Sequence, residues 1–479
     1  MYARKFSKKV MLLAAIATLI VVAGILWLNT QKNTTTALTA LTSGQLEFES
    51  DPTSSAILSG FTAKSVVNGS KANYDLVLKM NEKSEFTAKA KVTATNVSKD
   101  SWDKLVFYVI PNVFAEPNNK MFRDDAKFAI QAIKIADKQV KYTMQDDTLT
   151  VPLQSKLSPQ ENLTIEISYS FQVPRDGRRY MRIEDSHYLA QWYPMLATYM
   201  NGWNKNPYNY NNESYHTGFG DYKLQYELPA GYTLVSSANN DPKEATTSGQ
   251  VEIKNVKEMF VAVLKDMKVM TRKVGDVDIR VWSRDKDKIP AATALDTAAA
   301  ALPFFSKNIG PYPYKQYDVL VDGVVSMEYP GIDTVYGKDQ FTSLYTTHEL
   351  AHQWFYGMVS NDPFKESWLD EGFTQYTTSL YLRNYEYANR YILPEPKLSN
   401  LPLSELGDMD YASSLYALPT LKFKELFEPL GIEDRWKFLR TYFEIYRYKQ
   451  VTTEEAVRFI KHYFKMQDDT FFKDWLKLD

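Results

Sequence analysis

The sequence predicts an α+β multidomain chain: an N-terminal membrane helix, an antiparallel β-rich domain, and a mixed, mainly helical domain. Three observations carry this. Val10 to Leu28 runs for 19 residues without a charge, directly after the basic MYARKFSKK. From about residue 45 to 270, apolar and polar residues alternate with period two, as in strands with one buried face. Beyond Ser283 the alternation gives way to alanine-rich and three-to-four-spaced apolar segments. A chain of 479 residues, 44% of them hydrophobic, has ample material for two or three cores.

The uncharged run matches the roughly 20 residues that a helix needs to cross a bilayer. Arg4, Lys5, Lys8 and Lys9 should keep its N-terminal flank in the cytoplasm, which places the remainder outside. A cleavable signal peptide would have a shorter apolar core and a small-x-small site, whereas WLNTQK follows here. Residues 1–28 are therefore expected to be a cytoplasmic tail and uncleaved single-pass anchor in the cell membrane. The Thr-rich 29–44 reads as a polar stalk. There are no cysteines, which excludes disulfide-linked partners, thiolate metal sites and a lipoprotein anchor. The net charge of −2, with no basic block beyond the N-terminus, gives no case for nucleic acid as a partner.

In the β-rich domain, 45–274, FTAKAKVTATN, LTIEISYSFQV and DYKLQYELP alternate cleanly between Asn, Gly, Pro and Asp clusters. NGWNKNPYNYNNESYHTGFG, Asn201 to Gly220, interrupts the pattern. In the second domain, 275–479, Lys288 to Asn308 predicts a helix stopped at Ile309-Gly310, with Pro303 as a candidate kink. TTEEAVRFIKHYF predicts a later helix that opens on a Thr452–Glu455 capping box.

TTHELAHQWFYGMVSNDPFKESWLDEGF places two of the five histidines four residues apart. On a helix His348 and His352 share a face one turn apart, spaced for adjacent corners of a zinc tetrahedron. Glu349 can reach a water on the metal without binding the metal itself. The third ligand must come from another element, and Glu371 in WLDEGF is the candidate. One Zn2+ per chain is expected.

HELAH, eighteen intervening residues and Glu371 resemble the gluzincin metallopeptidases of the aminopeptidase N and leukotriene hydrolase family. SMEYPGI is similar to that family's GAMEN segment, and IGPYPYKQYDVLV, QWYPMLA, GFGDYKLQYELP and FFKDWL resemble other parts of it. The resemblance implies a saddle-like β-domain followed by a thermolysin-like catalytic domain. It further implies that the family's large C-terminal helical domain is missing, leaving a more open cleft.

By that resemblance Glu349 is the general base, and Glu328 of SMEYP holds the substrate's α-amine. Tyr416 stabilises the oxyanion, with Tyr411 as its nearest substitute, since Leu418-Pro419 replace the usual Lys-Gly. Tyr329 likewise stands where Asn is usual, and Val325-Ser326 replace Gly-Ala. His462 reads as a packing residue. A β-domain residue often assists the amine, which points to Glu184, Asp185 or Gln191. Thr374 and Asp370 are candidates to support the metal ligands. The expected function is a zinc aminopeptidase acting on peptides outside the cytoplasm. The alternatives are a zinc endopeptidase, a binding or scaffold protein with weakened catalysis, and epoxide hydrolysis.

Overall fold

The computed structural model describes residues 60–115, 126–322, 325–337 and 341–478. The expected anchor and stalk lie outside them, and no helix among the described residues is long and apolar enough to cross a membrane.

The alternating segments form strands. Ser70–Met80 and Phe86–Asn96 pair antiparallel, from Ser70 opposite Asn96 to Met80 opposite Phe86. Because side chains alternate across a strand, Tyr74, Leu76, Leu78, Ala88, Ala90 and Val92 all reach the same buried face. The hairpin is central in a seven-stranded sheet. Its order is Ser248–Val256, Gly220–Glu227, Ser70–Met80, Phe86–Asn96, Asn162–Gln172, Lys127–Ile135, Lys138–Gln139. One pair corrects the antiparallel expectation. Ser70–Met80 and Gly220–Glu227 run parallel, with Tyr74 opposite Tyr222, so a long connection rather than a turn must join them. Two four-stranded sheets, containing Trp102–Tyr108 and Val261–Lys265, feed Leu105, Phe107, Val261 and Val263 into the same core.

The second half starts with a five-stranded sheet ordered Lys268–Val274, Val277–Ser283, Gln316–Val321, Ile332–Val335, Met327–Tyr329. Helix Lys288–Asn308 buries Ala291, Ala294, Ala298 and Ala301, and it runs past Pro303. It stops where the amides of Ile309 and Gly310 both donate to the Phe305 carbonyl. Helices Thr342–His352, Trp368–Leu382, Leu418–Leu426, Ile432–Tyr446 and Thr453–Phe464 complete the second core around Leu350, Trp354, Phe373, Tyr442 and Trp475.

The capping box is realised by half. Thr452 Oγ1 accepts from the Glu455 amide, but the Glu455 carboxylate accepts from the Lys64 amide and the Tyr446 hydroxyl instead. That long-range bond, with Val66 bridged to Gln450, lays the first described residues against the helical half. A small third core joins the halves, where Phe260 stacks on Tyr329 at 4.3 Å between ring centroids. It seats the edge strand Met327–Tyr329 against the β-rich part.

The parallel pairing depends on Gly220, where an added Cβ would lie 2.0 Å from the Ala72 carbonyl oxygen. Backbone cannot yield as a flexible side chain would. Gly220→Ala should lose roughly 1–3 kcal/mol of stability, the usual range for overpacking. Urea unfolding of the two proteins side by side measures the difference.

Candidate metal centre and cleft

Helix Thr342–His352 carries β-branched Thr346 and Thr347, whose hydroxyls bond back to the carbonyls of Thr342 and Ser343. His348 and His352 face the first turn of Trp368–Leu382, which holds Glu371. Gly372 lets the same turn sit against Pro419 of Leu418–Leu426: a Cβ there would stand 2.7 Å from Pro419 Cβ. The donor atoms form a triangle. His352 Nε2 lies 3.2 Å from His348 Nε2 and 3.2 Å from Glu371 Oε2, and His348 Nε2 lies 3.4 Å from Glu371 Oε2. A zinc tetrahedron with bonds of 2.0–2.1 Å has edges of about 3.3–3.4 Å. The triangle is that size. Glu371 Oε2, moreover, is buried with no hydrogen-bond partner in the protein, an acceptor that a cation would satisfy.

Charge in the pocket agrees. Burial would push His352 down, yet Glu328, Glu371 and Glu349 together hold it well above its ordinary value. Burial pushes His348 down despite its contact with Glu371. For Glu371 burial acts upward, and the two histidines outweigh it and hold the carboxyl at about 2. Burial lifts Glu349 well above the usual carboxylate range, with the neighbouring Glu328 adding to the rise. The pocket favours a positive charge at its centre, which a divalent metal supplies.

His352 Nδ1 is 3.0 Å from the Phe355 carbonyl and 3.1 Å from Thr374 Oγ1, which fixes the ring with Nε2 toward the triangle. Thr374 therefore does touch a candidate ligand. Asp370 supports Glu371 rather than a histidine, its Oδ1 accepting the Glu371 amide at 2.9 Å. Tyr416 sits in a π-helical stretch, Ala412–Ala417, of the kind that often marks functional sites. Its hydroxyl donates to Glu371 Oε1, its ring stacks on His348 at 5.8 Å, and the Tyr411 hydroxyl is 3.4 Å away.

Glu328 lies on the edge strand, opposite Asp333, with Oε1 4.0 Å from His352 Nδ1. Burial raises its carboxyl to about 8, against the pull of His352. Gln353, the residue after His352, grips this strand: Nε2 donates to the Tyr329 carbonyl and Asp333 Oδ1, and Oε1 accepts the Gly331 amide. The metal helix and the Glu328 strand are thus one unit.

Of the β-domain candidates, Glu184 and Asp185 are excluded from the site. Glu184 pairs with Arg284 and Lys286, and Asp185 faces Lys265, and both carboxylates are exposed. Gln191 is buried and donates to Glu258 Oε2 at 2.8 Å. Glu258 itself escaped the sequence reading, as did its neighbours Glu213, Tyr215, Lys257 and Tyr356. Tyr215 donates to Glu213, whose carboxyl is raised by burial and then by the like charges of Glu328 and Glu258. Nothing in the local pattern around these residues distinguishes them from alternating strand and turn positions. His462 packs on Phe61 at 5.0 Å, as expected of a packing residue.

Residues 293–404 match the Peptidase family M1 domain, a span that includes Glu328 and the whole donor triangle. The chain is 28% identical over 237 residues to leukotriene A-4 hydrolase of Xenopus laevis, covering 43% of this chain and 38% of that protein. It is 24% identical over 277 residues to aminopeptidase B of Mus musculus, covering 51% and 42%. The chain thus spans about two fifths of the length of these curated relatives. A two-domain M1 zinc metallopeptidase mutant bound to L-tryptophan superposes with a TM-score of 0.65 at 17% identity, covering 86% of this chain and 96% of that one. An M1 zinc metallopeptidase mutant from Deinococcus radiodurans bound to a Tyr-Ser-Ala substrate gives 0.62 at 16%, covering 85% and 94%. These likenesses establish the fold, a β-rich N-terminal part followed by a mainly helical one.

Glu371→Ala removes one corner of the triangle and the partner of both histidines. Metal content after dialysis, read by atomic absorption, should fall from near one zinc per chain to a small fraction of that. Retention at the wild-type level would overturn the ligand assignment.

Proposed function

We propose that this chain is a zinc-dependent aminopeptidase that hydrolyses N-terminal residues from peptides outside the cytoplasm. One observation carries the reading: a buried carboxylate, Glu328, stands at the rim of the metal triangle on a strand clamped to the metal helix. A free α-ammonium placed against Glu328 would put the first peptide bond, and no later one, over the triangle. The matched peptidase-domain segment and the named aminopeptidase relative support the same activity. The extracytoplasmic location rests on the uncharged Val10–Leu28 run and its basic flank.

His348, His352 and Glu371 would hold a zinc ion, which when bound would act as a Lewis acid toward the scissile carbonyl and toward water. Glu349, within 4.8 Å of Glu328 and His352 donor atoms, takes the proton of the attacking water and delivers it to the leaving amine. The Tyr416 hydroxyl, which donates to Glu371 Oε1 beside the triangle in the free site, would turn its one proton to the carbonyl oxygen as negative charge develops there. Glu328 accepts a charge-assisted hydrogen bond from the α-ammonium, stronger than a neutral one. Its backbone, at the open edge of the five-stranded sheet, can pair with an extended peptide as an added strand.

Glu349→Gln should keep its zinc and lose nearly all turnover, since an amide cannot take the proton; metal analysis and peptide hydrolysis, run on the same sample, check both halves. Tyr416→Phe should lower kcat by about 10²–10³ with little change in KM, the usual loss for one oxyanion donor. Near-normal rates there, with collapse in Tyr411→Phe, would move the role to Tyr411.

The deciding assay compares free and N-acetylated peptides. Acetylation removes the charge and adds bulk where Glu328 waits, so the blocked peptide should lose most of its turnover. In Glu328→Ala the two should become more alike. Equal cleavage of both by the wild type would sink the aminopeptidase reading, and internal cut sites would establish an endopeptidase.

A further inference from the structure

Tyr356 lies four residues beyond His352, buried, with φ at +140°, a region that residues bearing a side chain rarely adopt. Strain of this kind persists only where the surroundings impose it. Here they belong to the other half of the molecule. Glu258 Oε1 accepts the Tyr356 hydroxyl, and Lys257 Nζ stands 3.6 Å from the centroid of its ring. Glu258 Oε1 also accepts the Tyr215 hydroxyl at 3.0 Å, which fixes the carboxylate beside Tyr356. Glu258 Oε2 is held by Gln191, and Lys257 Nζ is buried with no hydrogen-bond partner in the protein. The dipeptide is fixed in turn, because the Lys257 carbonyl accepts Thr217 Oγ1 at 2.8 Å and the Tyr222 hydroxyl at 3.1 Å.

The consequence lies one peptide unit away. The φ of Tyr356 turns the peptide plane that carries the Phe355 carbonyl. That carbonyl accepts from His352 Nδ1 at 3.0 Å, the bond that leaves Nε2 unprotonated toward the triangle. We propose that Lys257 and Glu258, acting through Tyr356, hold the Phe355 carbonyl on His352 and thereby set the zinc affinity of the site. The β-rich half is then a positioning element for a metal ligand as well as a wall of the cleft. Glu258 and Tyr356 touch neither metal nor peptide in this role. Thr374 Oγ1 remains as a second acceptor for His352 Nδ1, so breaking the relay weakens the site without abolishing it.

The inference rests on the zinc-site reading, and the test separates the two. Zinc affinity of the full-length protein is measured by competition with a chromogenic chelator for wild type, Tyr356→Phe, Glu258→Gln and the double variant. The Co(II)-loaded absorption spectrum is recorded for each. Each single change should weaken zinc binding roughly 10–100-fold, the usual effect of losing a partner that orients a ligand. The double variant should be no worse than the weaker single, because both cut one chain of contacts. The Co(II) bands should shift, which a change in general packing far from the metal would not cause. Wild-type affinity and spectrum in Tyr356→Phe would overturn the relay even if Glu258→Gln failed to fold. Losses that add in the double variant would also overturn it. A wild type that binds no zinc through the triangle would overturn the site reading and the relay together.

Discussion

Like-charge repulsion in a buried pocket is the constraint around which the rest of the molecule is arranged. Glu328, Glu349, Asp370 and Glu371 are gathered about two histidines, and burial raises or opposes the ionisation of each carboxyl. Such a group of carboxylates cannot stay ionised in a low-dielectric site without compensating positive charge. A divalent cation in the donor triangle would provide it. Glu371 illustrates the division of labour, with Oε2 in the triangle and Oε1 accepting Tyr416. One side chain so fixes both the metal and the proposed oxyanion donor, which ties the geometry of two catalytic roles to a single helix turn.

The two halves must meet accurately for this to work, and polar contacts at their junction serve that end. Arg280 in the five-stranded sheet forks onto Asp318, at 2.8 Å from both Nε and Nη2, and reaches Asp241 of the β-rich part at 3.3 Å. Asp362, just beyond the metal helix, accepts from Asn204 and Asn206 at 3.0 and 2.9 Å. Buried polar pairs of this kind are weak contributors to net stability, but they penalise every misaligned docking by leaving charges unpaired. Apolar contacts such as Phe260 on Tyr329 supply adhesion, and the polar ones select the register.

The regular parts of this molecule were legible in the sequence. Period-two alternation located Phe86–Asn96, Asn162–Gln172 and Gly220–Glu227, and the alanine-rich run marked Lys288–Asn308 to the residue. The triangle was legible because two ligands share one helix and the third follows at a fixed offset. Features that depend on residues distant in sequence were hidden. The parallel pairing of Ser70–Met80 with Gly220–Glu227 leaves no local mark. Glu455 carried the right spacing for a capping box, and tertiary partners took its carboxylate. Glu184 and Asp185 precede QWYPMLA by only a few residues, but the chain turns at Glu184, where φ is +54°, and both face solvent.

Two backbone irregularities flank the metal triangle. On one side, the π-helical turn at Ala412–Ala417 carries Tyr416 over His348 and onto Glu371. On the other, Tyr356 at φ +140° follows the metal helix and leans on the β-rich half. Neither conformation is what its residues would choose in isolation, since Leu415, Tyr416 and Ala417 suit an ordinary helix and tyrosine disfavours positive φ. Each carries a tyrosine whose hydroxyl donates to a glutamate, Glu371 or Glu258. A tyrosine suits that task because its long rigid ring can bridge two elements while its hydroxyl finds a polar terminus. With 33 tyrosines in the chain, composition alone could not single these two out. What distinguishes them is the carboxylate at the end of each ring, and both carboxylates lead back to His352, Glu371 directly and Glu258 by way of Tyr356 and the Phe355 carbonyl.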